Sequence, residues 1–230
     1  MTALDQAFRA AGAAAWGGVA YDRLTPEMTR EDQEKVRAQC PQPRTVLVAA
    51  FPYYAGDRPG NLSLYARGED YHRALARRLN TVCDFLSRQY PMESFLPAAD
   101  NSPLPEREAA RLAGLGKVGR HGLLILPPYG SFLFLGTILT GAALALPERE
   151  AAPACEDCGR CAAGSQRACP YNHHAARSPL PEFREDLIDR LTPADLDGLS
   201  NRSFQSKYGT RAFAWRGPGP LRRNLELQQE

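Results

Sequence analysis

A layered domain of mixed helices and strands, carrying a small metal-binding appendage, is the fold class this sequence predicts. Three observations lead there. Short apolar runs of β character alternate with amphipathic helical stretches along most of the chain, a pattern of packed layers. The composition is that of an ordinary folded protein: 43% hydrophobic and 23% charged residues over 230 positions exclude a disordered, collagen-like or coiled-coil chain. Of six cysteines, Cys155, Cys158, Cys161 and Cys169 crowd into fifteen positions, while Cys40 and Cys83 stand alone. The length suits one domain with a small appendage.

The elements follow in order. Residues 2–15 read as a short Ala-rich helix and 16–21 as a strand. Thr25 caps a helix with Pro26 at its first position and Glu27, Glu31 and Asp32 in its early turns, ending before Pro41. Residues 45–51 form an apolar β-type run, the expected central strand. Pro52 stops it, and a loop rich in Gly, Pro and Asn runs to about residue 64. Between 69 and 90, Tyr71, Leu75, Leu79, Val82 and Leu86 recur at helical spacing and make one apolar stripe. Arg73, Arg77 and Arg88 lie mostly off it. An extended piece at 94–98 leads into Asp100-Asn101-Ser102-Pro103. Pro105-Glu106 opens a helix that ends at Gly114. A glycine-rich turn at 114–119 precedes strands at 122–126 and 132–140.

Residues 122–147 hold no charge, which raises the question of a membrane span. Pro127-Pro128-Tyr129-Gly130-Ser131 breaks the stretch, and the longer remainder falls short of the roughly 18 apolar residues a span needs. Two buried strands around a turn are expected instead. The first residues lack a basic region, and Asp5 and Arg9 interrupt any apolar run, so no signal peptide is expected. The sequence thus predicts a cytoplasmic protein with no membrane partner. Its divisions are a core over 1–147, a cysteine segment over 148–180 and a tail over 181–230 that packs on the core.

The net charge of +2 is too near neutral to imply nucleic acid or membrane by itself. Arginine outnumbers lysine 25 to 3; anion binding and a GC-rich genome both produce such a bias. Residues 201–230 carry six basic and two acidic residues. Phe213 and Trp215 in that tail are surfaces for stacking on a base or corrin, or for packing across the domain.

Chemistry concentrates in Cys155-x2-Cys158-x2-Cys161-x7-Cys169-Pro170. Three cysteines at two-residue gaps let one loop present three thiolates to three irons, and a more distant fourth completes a [4Fe–4S] cluster. Zinc is the alternative, although structural zinc sites usually use two separated pairs. His173 and His174 are rival fourth ligands or surface histidines. The two lone cysteines belong to core elements. Two other segments are ambiguous as sequence. Gly114-Leu115-Gly116-Lys117-Val118-Gly119 is either a helix C-cap or a close approach of backbone to a cofactor. It follows a helix and precedes a strand, the reverse of a dinucleotide fingerprint, so NAD and FAD are not expected. Asp100-Asn101-Ser102-Pro103 is an Asx-turn or helix cap, or a loop that aims a carboxyl at a cofactor.

Taken together, these segments resemble a family. Tyr65-Ala66-Arg67-Gly68-Glu69-Asp70-Tyr71-His72 is similar to the motif opening the cofactor-side helix of the epoxyqueuosine reductases. Asp100-Asn101-Ser102-Pro103-Leu104 with Glu106-Arg107 resembles the loop of their proton donor. Residues 113–119, 130–140 and 199–224 match in order, so the resemblance spans about residues 44 to 224. It implies a nitroreductase-like α/β core, layered as α+β, that binds cobalamin, with a ferredoxin-like segment feeding electrons to the cobalt. It implies reduction of the epoxide of epoxyqueuosine in tRNA, or of a related electrophile. Asp100 would protonate the substrate oxygen. Tyr65, Arg67, His72, Arg107, Gly114, Gly116, Gly130 and Ser131 would lie at the cofactor, with the three glycines letting backbone approach the corrin. An external flavodoxin- or ferredoxin-type donor, tRNA and a monomeric state complete the expectation. The family carries two cysteine motifs and this chain one, which implies a single cluster. Thr137 stands where the family has Glu. The competing expectation is a non-catalytic, single-cluster electron-transfer or cobalamin-handling protein.

Overall fold

The computed structural model describes residues 2–147, 149–156, 158–163 and 168–227. The chain divides into two compact units, Met1–Pro52 with Leu75–Ala176, and Tyr53–Ala74 with Arg177–Glu230.

The first unit is built on a four-stranded sheet in the order β1-β2-β6-β3. Its strands are β1 (Ala15–Ala20), β2 (Thr45–Pro52), β3 (Phe95–Ala98) and β6 (Leu133–Thr140), and every pairing is antiparallel. The unit is therefore α+β. A separate antiparallel ribbon joins β4 (Lys117–Val118) to β5 (Leu124–Ile125).

β2 reads as a continuous apolar run because it is paired along both edges and covered on both faces; all eight of its residues are buried. On one face, Val46, Val48 and Ala50 join a core with Ala109, Ala110 and Leu112 of helix α4 (Glu106–Leu112). On the other lies helix α3 (Tyr71–Gln89), whose Leu75, Leu79, Val82 and Leu86 are at most 1% exposed. Burying each such side chain contributes roughly 1.5–3 kcal/mol, so this stripe holds the helix to the sheet. The helix comes so close that a Cβ on Gly136, the partner of Ala49, would lie 2.8 Å from Leu79 Cδ1.

Helix α1 (Ala3–Ala10) starts with a capping box between Thr2 and Asp5. Asp5 also accepts the Trp16 indole N–H at 3.0 Å, and Trp16 stacks on Phe8. Helix α2 (Arg30–Gln39) begins later than the sequence suggests. Thr29, not Thr25, is its cap, with Oγ1 accepting the Asp32 N–H, while Thr25–Glu27 is a separate 3-10 turn. Thr29 has an acidic residue three positions on, which lets the two side chains bond each other at 2.7 Å. Cys40 and Cys83 are buried, and burial pushes the Cys83 thiol up to about 12, which suits a core residue rather than a thiolate ligand.

The second unit contains three short helices, α5 (Pro193–Leu196), α6 (Asn201–Tyr208) and α7 (Pro218–Leu227). Leu191, Leu196, Phe204, Tyr208 and Ala214 form its core, with Leu62 and Phe213 packed against them. Among the described residues no helix is long and apolar enough to cross a membrane.

Candidate functional site

The short strand β3 delivers the chain into a strained loop. Asp100 and Asn101 both adopt left-handed backbone, at φ 55° and 45°. Asp and Asn are the non-glycine residues that tolerate this conformation best. Asp100 is exposed, and its Oδ1 accepts the Asn101 backbone N–H at 3.0 Å. It does not cap the next helix: the cap position of α4 is Pro105, and no side chain bonds there.

The first residue of α4 brings a second carboxyl beside Asp100. Glu106 Oε1 is shut off from solvent and has no hydrogen-bond partner. Burial pushes this carboxyl up to about 8 and the Asp100 charge adds to the rise, against a hydrogen bond from the Asp100 backbone N–H and the Arg107 charge. Burial thus favours the protonated form of Glu106. Arg107 Nη1 donates to the Gly122 carbonyl at 2.6 Å and ties α4 to the loop at 119–123. In that loop His121 Nδ1 accepts the Leu123 N–H, leaving the proton of the neutral ring on a buried Nε2 that has no partner. Burial also lowers the His121 pKa.

The glycines have local explanations. Gly114, at φ 71°, ends α4: its N–H donates to the Arg111 carbonyl and the Leu115 N–H to the Ala110 carbonyl, the double closure of a Schellman motif. A Cβ there would meet the Glu150 carbonyl at 2.8 Å, and one on Gly116 would meet the Ile125 carbonyl at 2.2 Å. Gly130, at φ 61°, faces Asn172, whose Oδ1 would sit 2.1 Å from a Cβ. All three would set an added Cβ against the protein's own atoms.

Asn172 had no role in the sequence, yet it joins the cysteine segment to the sheet. Its Oδ1 accepts the Ser131 N–H at 2.7 Å and its Nδ2 donates to Ser131 Oγ at 2.9 Å, both buried. Three residues earlier is Cys169, itself buried, and between them Tyr171 Oη accepts from Lys117 Nζ at 2.9 Å. The only hint in the sequence was an amide just after the last cysteine. We expect Gly130→Ala to cost roughly 2–4 kcal/mol, since the new Cβ displaces Asn172 and strains a left-handed residue. Urea unfolding would measure it. Adding Asn172→Ala should then cost less than it does in the parent, because its bonds are already lost.

Cys155 and Cys161 are half-buried and Cys158 is exposed. Burial raises the Cys169 thiol, and Cys155, Cys161 and Cys158 lie near enough to add to the rise. Among the described residues no three His, Cys, Asp or Glu side chains converge on a single metal ion. Four thiolates, three from one loop, are nevertheless the donor set of an iron–sulfur cluster. His173 and His174 are exposed.

Tyr65, Arg67 and His72 lie in the second unit. Arg67 is 5% exposed and engaged inside it, 3.1 Å from Asp189 and donating to the carbonyls of Arg58 and Leu62. His72 Nδ1 is 2.8 Å from Asp70 Oδ1, which also accepts the His72 N–H at the start of α3. Tyr65 is half exposed and meets Tyr71 edge-on. In the tail, Phe213 packs on the core, whereas Trp215 is 70% exposed with the Arg216 guanidinium 5.7 Å from its ring.

A mixed helix–sheet unit with a four-cysteine segment appended to it defines the class of protein. Comparison with known proteins gives the class its family. Residues 34–100 match the family model described as "Epoxyqueuosine reductase QueG, DUF1730". An epoxyqueuosine reductase of Synechocystis sp. is 35% identical over 161 residues, covering 67% of this chain and 54% of that protein. One from Lactococcus garvieae is 26% identical over 261 residues, covering 89% and 71%. A solved epoxyqueuosine reductase in complex with a tRNA-Tyr epoxyqueuosine-modified stem loop shares the fold, with a TM-score of 0.80 at 19% identity over 96% of this chain and 78% of that one. The chain is a relative of the epoxyqueuosine reductases. It spans about half the length of the Synechocystis protein.

Proposed function

We propose that this chain is a cobalamin- and [4Fe–4S]-dependent reductase acting on the epoxide of epoxyqueuosine in tRNA, or on a related electrophile. One observation carries the reading: within one unit, the Asp100 loop and the four-cysteine segment that resemble the family's catalytic parts are both present. Asn172 anchors the second of them to the sheet.

Removing an epoxide oxygen to leave an alkene takes two electrons and two protons and releases water. When bound, cobalamin supplies an electron-rich cobalt to the substrate carbon, and the cluster relays electrons from a flavodoxin- or ferredoxin-type donor. Cys155, Cys158, Cys161 and Cys169 would hold the cluster in a ferredoxin-like segment, and Cys40 and Cys83 take no part. Asp100 gives a proton to the substrate oxygen as the carbon–oxygen bond breaks, which turns a poor alkoxide leaving group into a hydroxyl. The loop's left-handed backbone holds that carboxyl outward while Arg107 fixes α4 behind it. The buried unpartnered atoms Glu106 Oε1 and His121 Nε2 are the polar groups of these loops suited to meet a bound molecule. Trp215 is the aromatic surface suited to stack on a base of the tRNA. The protein works as a monomer in the cytoplasm.

Anaerobic reconstitution with iron, sulfide and cobalamin tests this directly. About four irons per chain are expected, together with cobalamin retained through gel filtration and turnover of an epoxyqueuosine stem loop. Changing Cys169 to Ser should lower the iron content, and changing Cys83 to Ser should not. About eight irons per chain, or stoichiometric zinc in native protein, would overturn the single-cluster assignment.

A further inference from the structure

We propose that Lys117 tunes the cysteine segment for electron uptake, its ammonium favouring the more negative, reduced form of the cluster held there. The inference rests on the [4Fe–4S] assignment of Cys155, Cys158, Cys161 and Cys169 and adds a residue outside that set.

Strand β4 decides where Lys117 goes. Successive side chains of a strand point to opposite faces. Val118 packs against the core that α4 shares with the sheet, and Lys117 turns the other way. There its Nζ donates to Tyr171 Oη at 2.9 Å and lies 4.8 Å from the centre of the Tyr171 ring. The same Nζ is 3.8 Å from Glu156 Oε1. Tyr171 stands two positions after Cys169, and Glu156 directly follows Cys155. One ammonium thus meets the flanks of two of the four cysteines, all within one compact unit. Its side chain is 20% exposed, so solvent screens it only in part. The bond to Tyr171 raises its pKa, and the charges of Glu156 and Cys155 add to the rise. Lys117 is therefore a full positive charge at neutral pH.

An ammonium has no lone pair, so Lys117 is no ligand and acts through charge. Four thiolates make the segment strongly negative, and reduction adds to that charge. Net charge, hydrogen bonds to the sulfurs and solvent exposure set the potential of such a cluster. A held cation beside it favours the reduced state, and the exposed Glu156 carboxylate opposes it from the same place. The step is a one-electron transfer from the flavodoxin- or ferredoxin-type donor. No bond forms or breaks, and no proton moves. Lys117 and Glu156 should then shift the potential in opposite directions, which a purely structural clasp would not do.

The experiment is an anaerobic redox titration of the reconstituted chain, followed by the EPR signal of the reduced cluster. Lys117→Met keeps the length of the side chain and removes its charge. It should make reduction roughly fivefold less favourable, about 40 mV lower at about 59 mV per tenfold for one electron. Its iron content should match the parent's. Lys117→Arg keeps the charge and should titrate near the parent. Glu156→Gln should move the potential upward. Added salt should narrow the gap between the parent and Lys117→Met. Equal potentials for these two would leave Lys117 as a clasp between β4 and Tyr171, and the proposal would fail. It fails equally if Lys117→Met loses iron while its remaining clusters titrate as the parent's do. Should Lys117→Met fold poorly, Glu156→Gln alters an exposed side chain, and the lack of an upward shift there rejects the charge effect. A reconstituted parent without the EPR signal of a [4Fe–4S] cluster would overturn the cluster assignment itself.

Discussion

Asp100→Asn should lower turnover of the epoxide roughly a hundredfold or more, the usual scale for losing a general acid, and leave folding nearly untouched. The second half of that expectation comes from the loop. Asp100 is exposed, the cap position of α4 is Pro105, and Asp100 Oδ1 accepts the next backbone N–H. An asparagine oxygen accepts the same bond and tolerates φ 55° as well as aspartate does. Unfolding free energy should therefore stay within about 0.5 kcal/mol of the parent. Iron and cobalamin contents should also hold, because the cysteine segment is tied to the sheet through Ser131 and Asn172 rather than through this loop. Single-turnover kinetics, melting temperature and cofactor content on one preparation are the measurements. A variant that keeps the parent's rate per bound cobalamin would withdraw Asp100 from catalysis. Loss of activity in proportion to lost cofactor would make it a residue of the binding site.

The parts of this molecule legible in its sequence are those fixed by short-range periodicity. The run at 45–51 became a strand buried along its whole length, and the stripe from Leu75 to Leu86 became the face of α3 against the sheet. Gly114 as a helix stop followed from its position after an amphipathic segment, and the structure bears out that side of the ambiguity. What depended on distant partners was hidden. The strand order puts β6 between β2 and β3, and nothing local in residues 133–140 encodes it. Thr25, followed by proline, reads as the cap, whereas the cap is Thr29, with an acidic residue three positions on. Asn172 bonds a residue 41 positions away. The raised pKa of Glu106 comes from burial, which nothing local in its sequence signals. Within the candidate site, the cysteines could be picked out by type and spacing and Asp100 only through the family resemblance, whereas the groups around them could not.

Arg67→Ala should destabilise the second unit by about 3 kcal/mol, the lower end of what breaking a buried ion pair costs. The sequence placed Arg67 at the cofactor by resemblance, and the structure gives it other partners. Its guanidinium spans Asp189, 122 positions away, and the carbonyls of Arg58 and Leu62, so a single side chain closes the loop before α3 onto the segment after residue 177. Truncation leaves two carbonyls without their donor and Asp189 with Arg58 as its remaining cation. The Arg58 pair, at 2.6 Å, is half exposed and compensates only in part. Arg67→Lys should recover little, since an ammonium cannot reach three acceptors from the positions that a planar fork serves. The Asp189→Asn change should cost less, because an amide oxygen still accepts from Arg67. Urea unfolding followed through Trp215, which lies in the same unit, would give these values. Cobalamin affinity measured on the folded fraction separates the two roles. An unchanged affinity with lost stability makes Arg67 the clasp of this unit. Lost affinity at full stability would return it to the cofactor, where the motif first put it.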